Sequence, residues 1–337
     1  MDHQQMKDIR EPQISPNAME DDEEIEKLQS RRDRMISNFV VDCKILSSIL
    51  IEAIECINIK RDRSMVLDEF ENFDSLKKGP AKVYVDIEYS NKGMKLVTVL
   101  DSIMIASIDI NTGNFTEYNF DPELPPILFR VNLKDILESL KIYNQSNEEF
   151  TVFLKYPGKD KSLVMYGTRS SFTTQVAIRT QDLKALPDFA YGMYKDIFEC
   201  RMGGNIFYQS LQEVIWIDDI LNMDIYKDMF ILSAEKIGFG KTEIKHEERL
   251  RSIRDYKCKE ERKETYKRYL FDQLYKSFPL RNVANLELAM NTCGMLKTRG
   301  KLEIGNNHIP VEYIIKSNES NDMDDSDSDD SDEDRLW

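Results

Sequence analysis

Four segments of this 337-residue chain space their apolar residues three and four apart, and short β-like runs lie between them. Their order restricts the fold: strand, helix, four strands, helix, three strands, and then the same again. "FVVDC" (39–43) reads as a strand. "KILSSILIEAIECI" (44–57) reads as a helix with Ile45, Leu46, Ile49, Leu50, Ala53, Ile54 and Ile57 on one face. Past a charged insertion at 60–80 come "KVYVDIEYS", "MKLVTVLD", "IMIASIDI" and "FTEYNF", divided by the turn signals Asn91-Lys92-Gly93 and Asn111-Thr112-Gly113. A helix over 132–144 places Leu133, Ile136, Leu137 and Leu140 inward, and "FTVFLKY", "SLVMYG" and "TTQVAIRT" close the unit.

The second unit opens with a strand at 197–202 and a helix at 205–217 whose inward residues are Phe207, Leu211, Val214 and Ile215. Strands are expected at 219–225, 228–234, 237–245 and 252–258, then a helix at 264–278. "ANLELAMN", "GKLEIGN" and "PVEYIIKS" finish it. Each helix needs a sheet to cover its apolar face, so the pattern predicts an α+β protein with two similar units. The repeat is one of element order, not of letters.

Charge is unevenly spread. Of the net −15, residues 317–337 hold −9 and residues 1–34 hold −4, which leaves −2 for 35–316. The body is therefore close to neutral, and a local basic surface can still meet phosphate. The tail "NESNDMDDSDSDDSDEDRLW" has too little apolar surface to offset its ordering entropy and is expected to be disordered, as is the acidic leader. Ser326 and Ser331 each have an acid three residues downstream, a context acidophilic kinases favour; a tail that merely solvates is the plainer alternative. Cys43, Cys56, Cys200, Cys258 and Cys293 lie far apart with no Cys-x-x-Cys, which suits reduced thiols in the cytosol or nucleus rather than disulfides or zinc. The start "MDHQQMKDIREPQ" has neither the basic nor the apolar region of a secretory signal, and no apolar run is long enough for a bilayer.

Three motifs bear on chemistry. Gly238-Phe239-Gly240-Lys241-Thr242 has the end of a phosphate-binding loop, but Glu235 stands where the first glycine is required and "TEIKHEERLR" does not open a helix. Asp86 and Glu88 have the spacing with which metal-dependent 3′–5′ exonucleases begin. The third motif they would need is met downstream only by Tyr156…Asp160, across a Pro157-Gly158 turn, so the plainer reading is a solvated strand face. Three histidines and no Gly-x-Ser-x-Gly leave no Ser–His–Asp device. The sequence reads as non-catalytic, with no metal and no cofactor.

"NFTEYNFDPELPPILFRVNLKDILESLKIYN" (114–144) carries a resemblance. Gly113, Phe115, Glu117, Tyr118 and Phe120, then Phe129-Arg130-Val131-Asn132-Leu133 and Ile142-Tyr143, are similar to the Rad-one subunits of heterotrimeric DNA-damage checkpoint clamps, relatives of proliferating cell nuclear antigen. "FILSAEKIGFGKTEI" looks like paired strands of a second clamp domain, and "VEYIIKS" like the closing strand, so the similarity covers about 35–316. The insertion and both charged tails depart from the family pattern. The resemblance implies a sliding-clamp fold: domains at 35–180 and 197–317, a linker at 181–196, sheets outside and two inner helices per domain.

It further implies a nuclear, non-catalytic subunit of a ring that encircles double-stranded DNA without sequence specificity. The expected partners are two other clamp subunits, a clamp loader, and repair and signalling proteins docking at the linker. On the helices Lys44, Lys134, Lys141, Lys263, Lys267 and Arg268, with Lys276 at the last helix's end, are the residues expected to face DNA. The edges that join subunits are expected near 172–180 and 237–245, through Thr174, Val176, Ile178, Ile237, Phe239 and Lys241. A homotrimeric replication clamp and an exonuclease using Asp86 and Glu88 stand as alternatives.

Overall fold

A computed structural model describes residues 41–59, 83–143, 150–168, 173–250, 252–277 and 283–318. The leader, the insertion and the tail from 319 on, with Ser326 and Ser331, lie outside the described residues. The first half runs β1 (Val41–Leu46), α1 (Ser47–Cys56), β2 (Tyr84–Ser90), β3 (Gly93–Leu100), β4 (Met104–Asn111), β5 (Glu117–Asn119), β6 (Ile127–Asn132), α2 (Leu133–Tyr143), β7 (Thr151–Tyr156), β8 (Leu163–Thr168), β9 (Thr173–Ile178) and β10 (Thr180–Asp182). The second runs β11 (Asp196–Met202), α3 (Gly204–Val214), β12 (Ile220–Ile225), β13 (Met229–Lys236), β14 (Gly240–Glu247), β15 (Ile253–Cys258), β16 (Arg262–Lys267), α4 (Arg268–Ser277), β17 (Leu286–Asn291), β18 (Leu296–Ile304) and β19 (Asn307–Ile315).

The two halves repeat the same strand pairings, with five strands between the helices of each half where four were expected. The first half orders its strands β5-β1-β7-β8-β9 and β6-β2-β3-β4; the second orders them β15-β11-β17-β18-β19 and β16-β12-β13-β14. Two of these four sheets are fused, because β4 pairs antiparallel with β19, Met104–Ile108 lying opposite Ile315–Val311. With β10 added beside β6, the fused sheet is ten strands wide and takes five strands from each half. The described residues form one compact unit.

Each of the four described helices grows out of a strand, and this corrects two expected boundaries. Helix α1 begins at Ser47 rather than 44, and α4 at Arg268 rather than 264. The apolar spacing of "ILSSIL" suits either period. Pairing decides it, since β1 meets β7 from Val41↔Tyr156 through Leu46↔Thr151. In β16 the inward Glu264 and Tyr266 alternate with the exposed Lys263, a period of two.

The helices then lie back on the sheets. Ile49, Leu50, Ala53 and Ile54 of α1, Leu133, Ile136, Leu137 and Leu140 of α2, Phe207, Leu211 and Val214 of α3, and Leu270, Phe271 and Leu274 of α4 all enter one apolar core. A fully buried Leu, Ile or Phe is worth about 1.5–3 kcal/mol, while helix propensities differ by roughly 0.7 kcal/mol per ordinary residue. Packing, not propensity, therefore sets which face turns in. Helix α1 packs on α2, and α3 on α4.

Candidate subunit edges and nucleic-acid face

Beyond β9 in the five-stranded sheet, and beyond β14 in the four-stranded sheet, no further strand follows among the described residues. Both expected joining segments therefore lie at sheet edges. Of the β9 residues named from the sequence, Thr174, Val176 and Ile178 turn toward the core, while Thr173, Gln175 and Ala177 are exposed. Ile237 and Phe239 stand before the strand, not in it. They form the β13–β14 hairpin, where Gly238 at φ +79° and Gly240 at φ +137° take conformations that disfavour a Cβ. The Gly-Phe-Gly-Lys-Thr stretch is thus a hairpin entering a strand, without the loop-to-helix geometry that cradles phosphate.

Along β14, Glu243 accepts from Lys241 at 2.9 Å and from Lys245 at 3.0 Å. Those hydrogen bonds lower its pKa and raise that of Lys241. The strand's other face points to α3, where His246 meets Ser210 at 3.0 Å and burial pushes the imidazole pKa down to about 4.

Trp216 was not named from the sequence. It is 59% exposed, and its ring lies 5.7 Å from that of Phe239, which is 65% exposed. A signal was there to find. Trp216 continues the row of Asn205, Gln209 and Gln212 on the polar side of α3, where an indole has no reason to be in an isolated chain.

The basic residues separate into two groups. Lys134 and Lys141 lie exposed on α2; Asn132 Oδ1 caps that helix by accepting from Lys134 N at 2.9 Å, and Lys134 Nζ reaches Glu138 at 3.6 Å. Of the other four, three are on strands and Arg268 is turned to structural contacts at the start of α4. Lys44 belongs to β1, on the face away from the core, where it pairs with Glu117 and sits 4.6 Å over the Phe153 ring. Lys263 and Lys267 belong to β16, and Lys263 Nζ is 3.9 Å from Asp224. Arg268 opens α4 but is spent on structure, binding Asp219 at 3.0 Å and the Ile215 carbonyl at 3.4 Å. The side chain of Lys276 falls outside the described ones. Against those two lysines the outer faces of α1–α3 expose five carboxylates: Glu52, Glu55, Asp135, Glu138 and Glu213. Burial and then repulsion from Glu55 raise the pKa of Glu52. The outer faces of these three helices are mildly acidic.

Asp86 has both oxygens taken by Arg130, at 2.5 and 2.8 Å, in a fork held over Tyr84. Glu88 is partly buried on the same strand. Among the described residues no three His, Cys, Asp or Glu side chains gather as a metal would require.

The linker is fastened rather than loose. Tyr191 gives its hydroxyl to Asp196 at 2.6 Å and packs with Met295 and Ile314; Lys297 lies 4.2 Å over its ring, and Lys316 lies 4.9 Å over Phe189. Met193 and Tyr194 are left exposed.

A family model described as Repair protein Rad1/Rec1/Rad17 matches residues 64–300, well over half the chain and both halves of the repeat. The chain belongs to this family. It has the clamp fold of proliferating cell nuclear antigen, and Rad1/Rec1/Rad17 membership makes it a checkpoint-clamp subunit that partners other clamp subunits in a ring. No curated protein matches the chain.

Proposed function

We propose that this Rad1/Rec1/Rad17 chain is one of three unlike subunits in a nuclear ring that closes around duplex DNA, catalyses nothing itself, and presents its linker to checkpoint and repair proteins. The observation that carries the reading is the β4–β19 pairing. In the repeat, β14 stands for β4 and β9 stands for β19. Inside the chain these two kinds of edge pair with each other; at its two ends the same kinds are left over. Pairing β14 of one subunit with a β9-like strand of the next reproduces the internal joint between chains, a heterologous contact that closes into a ring. Clamp domains at 35–180 and 197–317, joined through 181–196, are the repeating units of that ring.

The mildly acidic helix faces bear on how DNA is held. Phosphate contacts supply affinity only in proportion to the cations present. Two lysines on α2 among five carboxylates give a weak, salt-sensitive contact, so retention rests on encirclement. The test is loading by the clamp loader, with the two other subunits, onto nicked circular DNA. Complexes should persist in high salt on the circle and slide off once it is linearised. Equal loss from circular and linear DNA would refute encirclement. A stable homotrimer of this chain alone in sedimentation velocity would point to a replication-type clamp.

A further inference from the structure

The internal joint also shows what the outer one lacks. The loops β3–β4 and β13–β14 are both three residues long, 101–103 and 237–239, and both close with the same bond: Ile103 N to Leu100 O at 2.9 Å, Phe239 N to Lys236 O at 3.0 Å. At the internal joint the loop is covered. Lys316, just past β19, donates its N–H to the Ile103 carbonyl at 2.9 Å, and Ile103 packs against the core. Tyr313 reaches across from β19 and gives its hydroxyl to the Cys56 carbonyl at the end of α1. At the outer end, Phe239 stands where Ile103 does and Trp216 follows α3 as Asn58 follows α1, both exposed, beside Ile237 with its full surface in water. Two exposed aromatic rings in contact, with a fully exposed Ile237 on the same hairpin, are a contact surface, not scatter.

Resting on the ring reading above, we propose that Trp216, Phe239 and Ile237 anchor an unlike clamp subunit. Its edge strand carries a large side chain at the place of Tyr313, an acid opposite Lys241, and past its end a backbone N–H for the Phe239 carbonyl. A second copy of this chain does not fit. Aligned by their buried ends, Ile178 and Ile315, β9 places Val176 at the position of Tyr313 and Ala177 opposite Lys241. Val176 is too short to reach the end of α3, and Ala177 adds no acid across the joint to the one, Glu243, that Lys241 already has on its own strand. Two β14 strands paired about Glu243 would oppose Glu243 to itself and Lys241 to Lys245, like charges that destabilise a ladder. Charge and size both select a foreign strand.

The test uses the full-length chain, mixed in turn with each of the two other clamp subunits from its own cell, with binding measured by sedimentation velocity. Trp216→Ala with Phe239→Ala should weaken one partner about thirtyfold, as loss of a central aromatic pair does, and leave the other unchanged. Lys241→Glu with Lys245→Glu should weaken the same partner, which guards against a folding artefact of the first variant. Parent-like binding of both partners by both variants overturns the anchor while the ring reading stands. Failure of the parent chain to bind either subunit would bring down the ring reading, and the anchor with it. Self-association of the parent that the aromatic variant abolishes would make the occupant a second copy and overturn the proposal.

Discussion

Lowering the pH from 7.5 to 5 should destabilise the isolated chain through His246. This residue is 3% exposed on β14, with its ring stacked 4.7 Å from Phe230 on β13. Ser210 gives its single hydroxyl proton to the Ile206 carbonyl at 2.9 Å, so its oxygen accepts at 3.0 Å from the Nε2–H of His246. A second proton would have to enter the core on Nδ1. Burial therefore holds the folded pKa at about 4, below the ordinary 6.5. Between those values the unfolded chain binds more protons, so stability is complete above 6.5 and is lost as the pH falls toward 4. From pH 7.5 to 5 this site is worth about 2 kcal/mol. Urea unfolding by tryptophan fluorescence, on the parent and on His246→Gln, isolates it, because both proteins share every carboxylate. The variant keeps a donor for Ser210 and cannot titrate. Its stability deficit at pH 7.5 should shrink by about 2 kcal/mol at pH 5. Parallel pH dependence in the two proteins would refute a buried neutral imidazole.

Reversing Lys134 and Lys141 to Glu should lower the salt slope of DNA association by about 2 and shorten retention at low salt, while reversing Lys44 and Lys263 should change it little; equal effects would reject α2 as the contact. Asp86→Ala strands the Arg130 guanidinium and should cost about 2 kcal/mol in urea unfolding, with no change in DNA degradation in Mg²⁺ or Mn²⁺. Metal-dependent degradation that vanishes in this variant would instead establish the exonuclease alternative. Tyr313→Phe leaves the Cys56 carbonyl without its donor and should cost about 1–3 kcal/mol; a neutral result would mean the hydroxyl does not hold the joint.

Most of the fold was legible in the spacing of apolar residues, because every amphipathic helix shows its inward face in the letters. Strand β16 was hidden because it runs without a turn into a helix whose pattern absorbs it, and β6, directly before the helix expected from 132, was not expected as a strand. That cost the site more than the fold. Reading "ETYKRYLFDQLYKSF" (264–278) as one helix, with Lys263 at its start, placed Lys263 and Lys267 on a surface they do not occupy, and starting α1 at 44 did the same for Lys44. The edges were legible only through family likeness. Nothing local in "TTQVAI" says that no strand lies beyond it. Trp216 was visible as an indole on a polar helix row, but its meaning depends on Phe239 coming to it from a hairpin more than twenty residues on.

The internal joint and the proposed outer one share a pattern, and their side chains predict different strengths. At the internal one β4 contributes Met104, Ile105, Ala106 and Ile108, all buried, against Ile315, Ile314, Tyr313 and Val311. At the outer one the matching positions of β14 are Gly240, Lys241, Thr242 and Ile244, none of them buried in the lone chain. At about 25 cal/mol per Å² of apolar surface, trading Met104 and Ile105 for glycine and lysine removes several kcal/mol from the contact. On the proposed reading, a ring that opens to admit DNA needs such a difference, because the joint that parts must be weaker than the one that holds each subunit together. The aromatic pair at 216 and 239 then sets how much of that deficit is made good, so weakening it should ease opening as well as slow assembly.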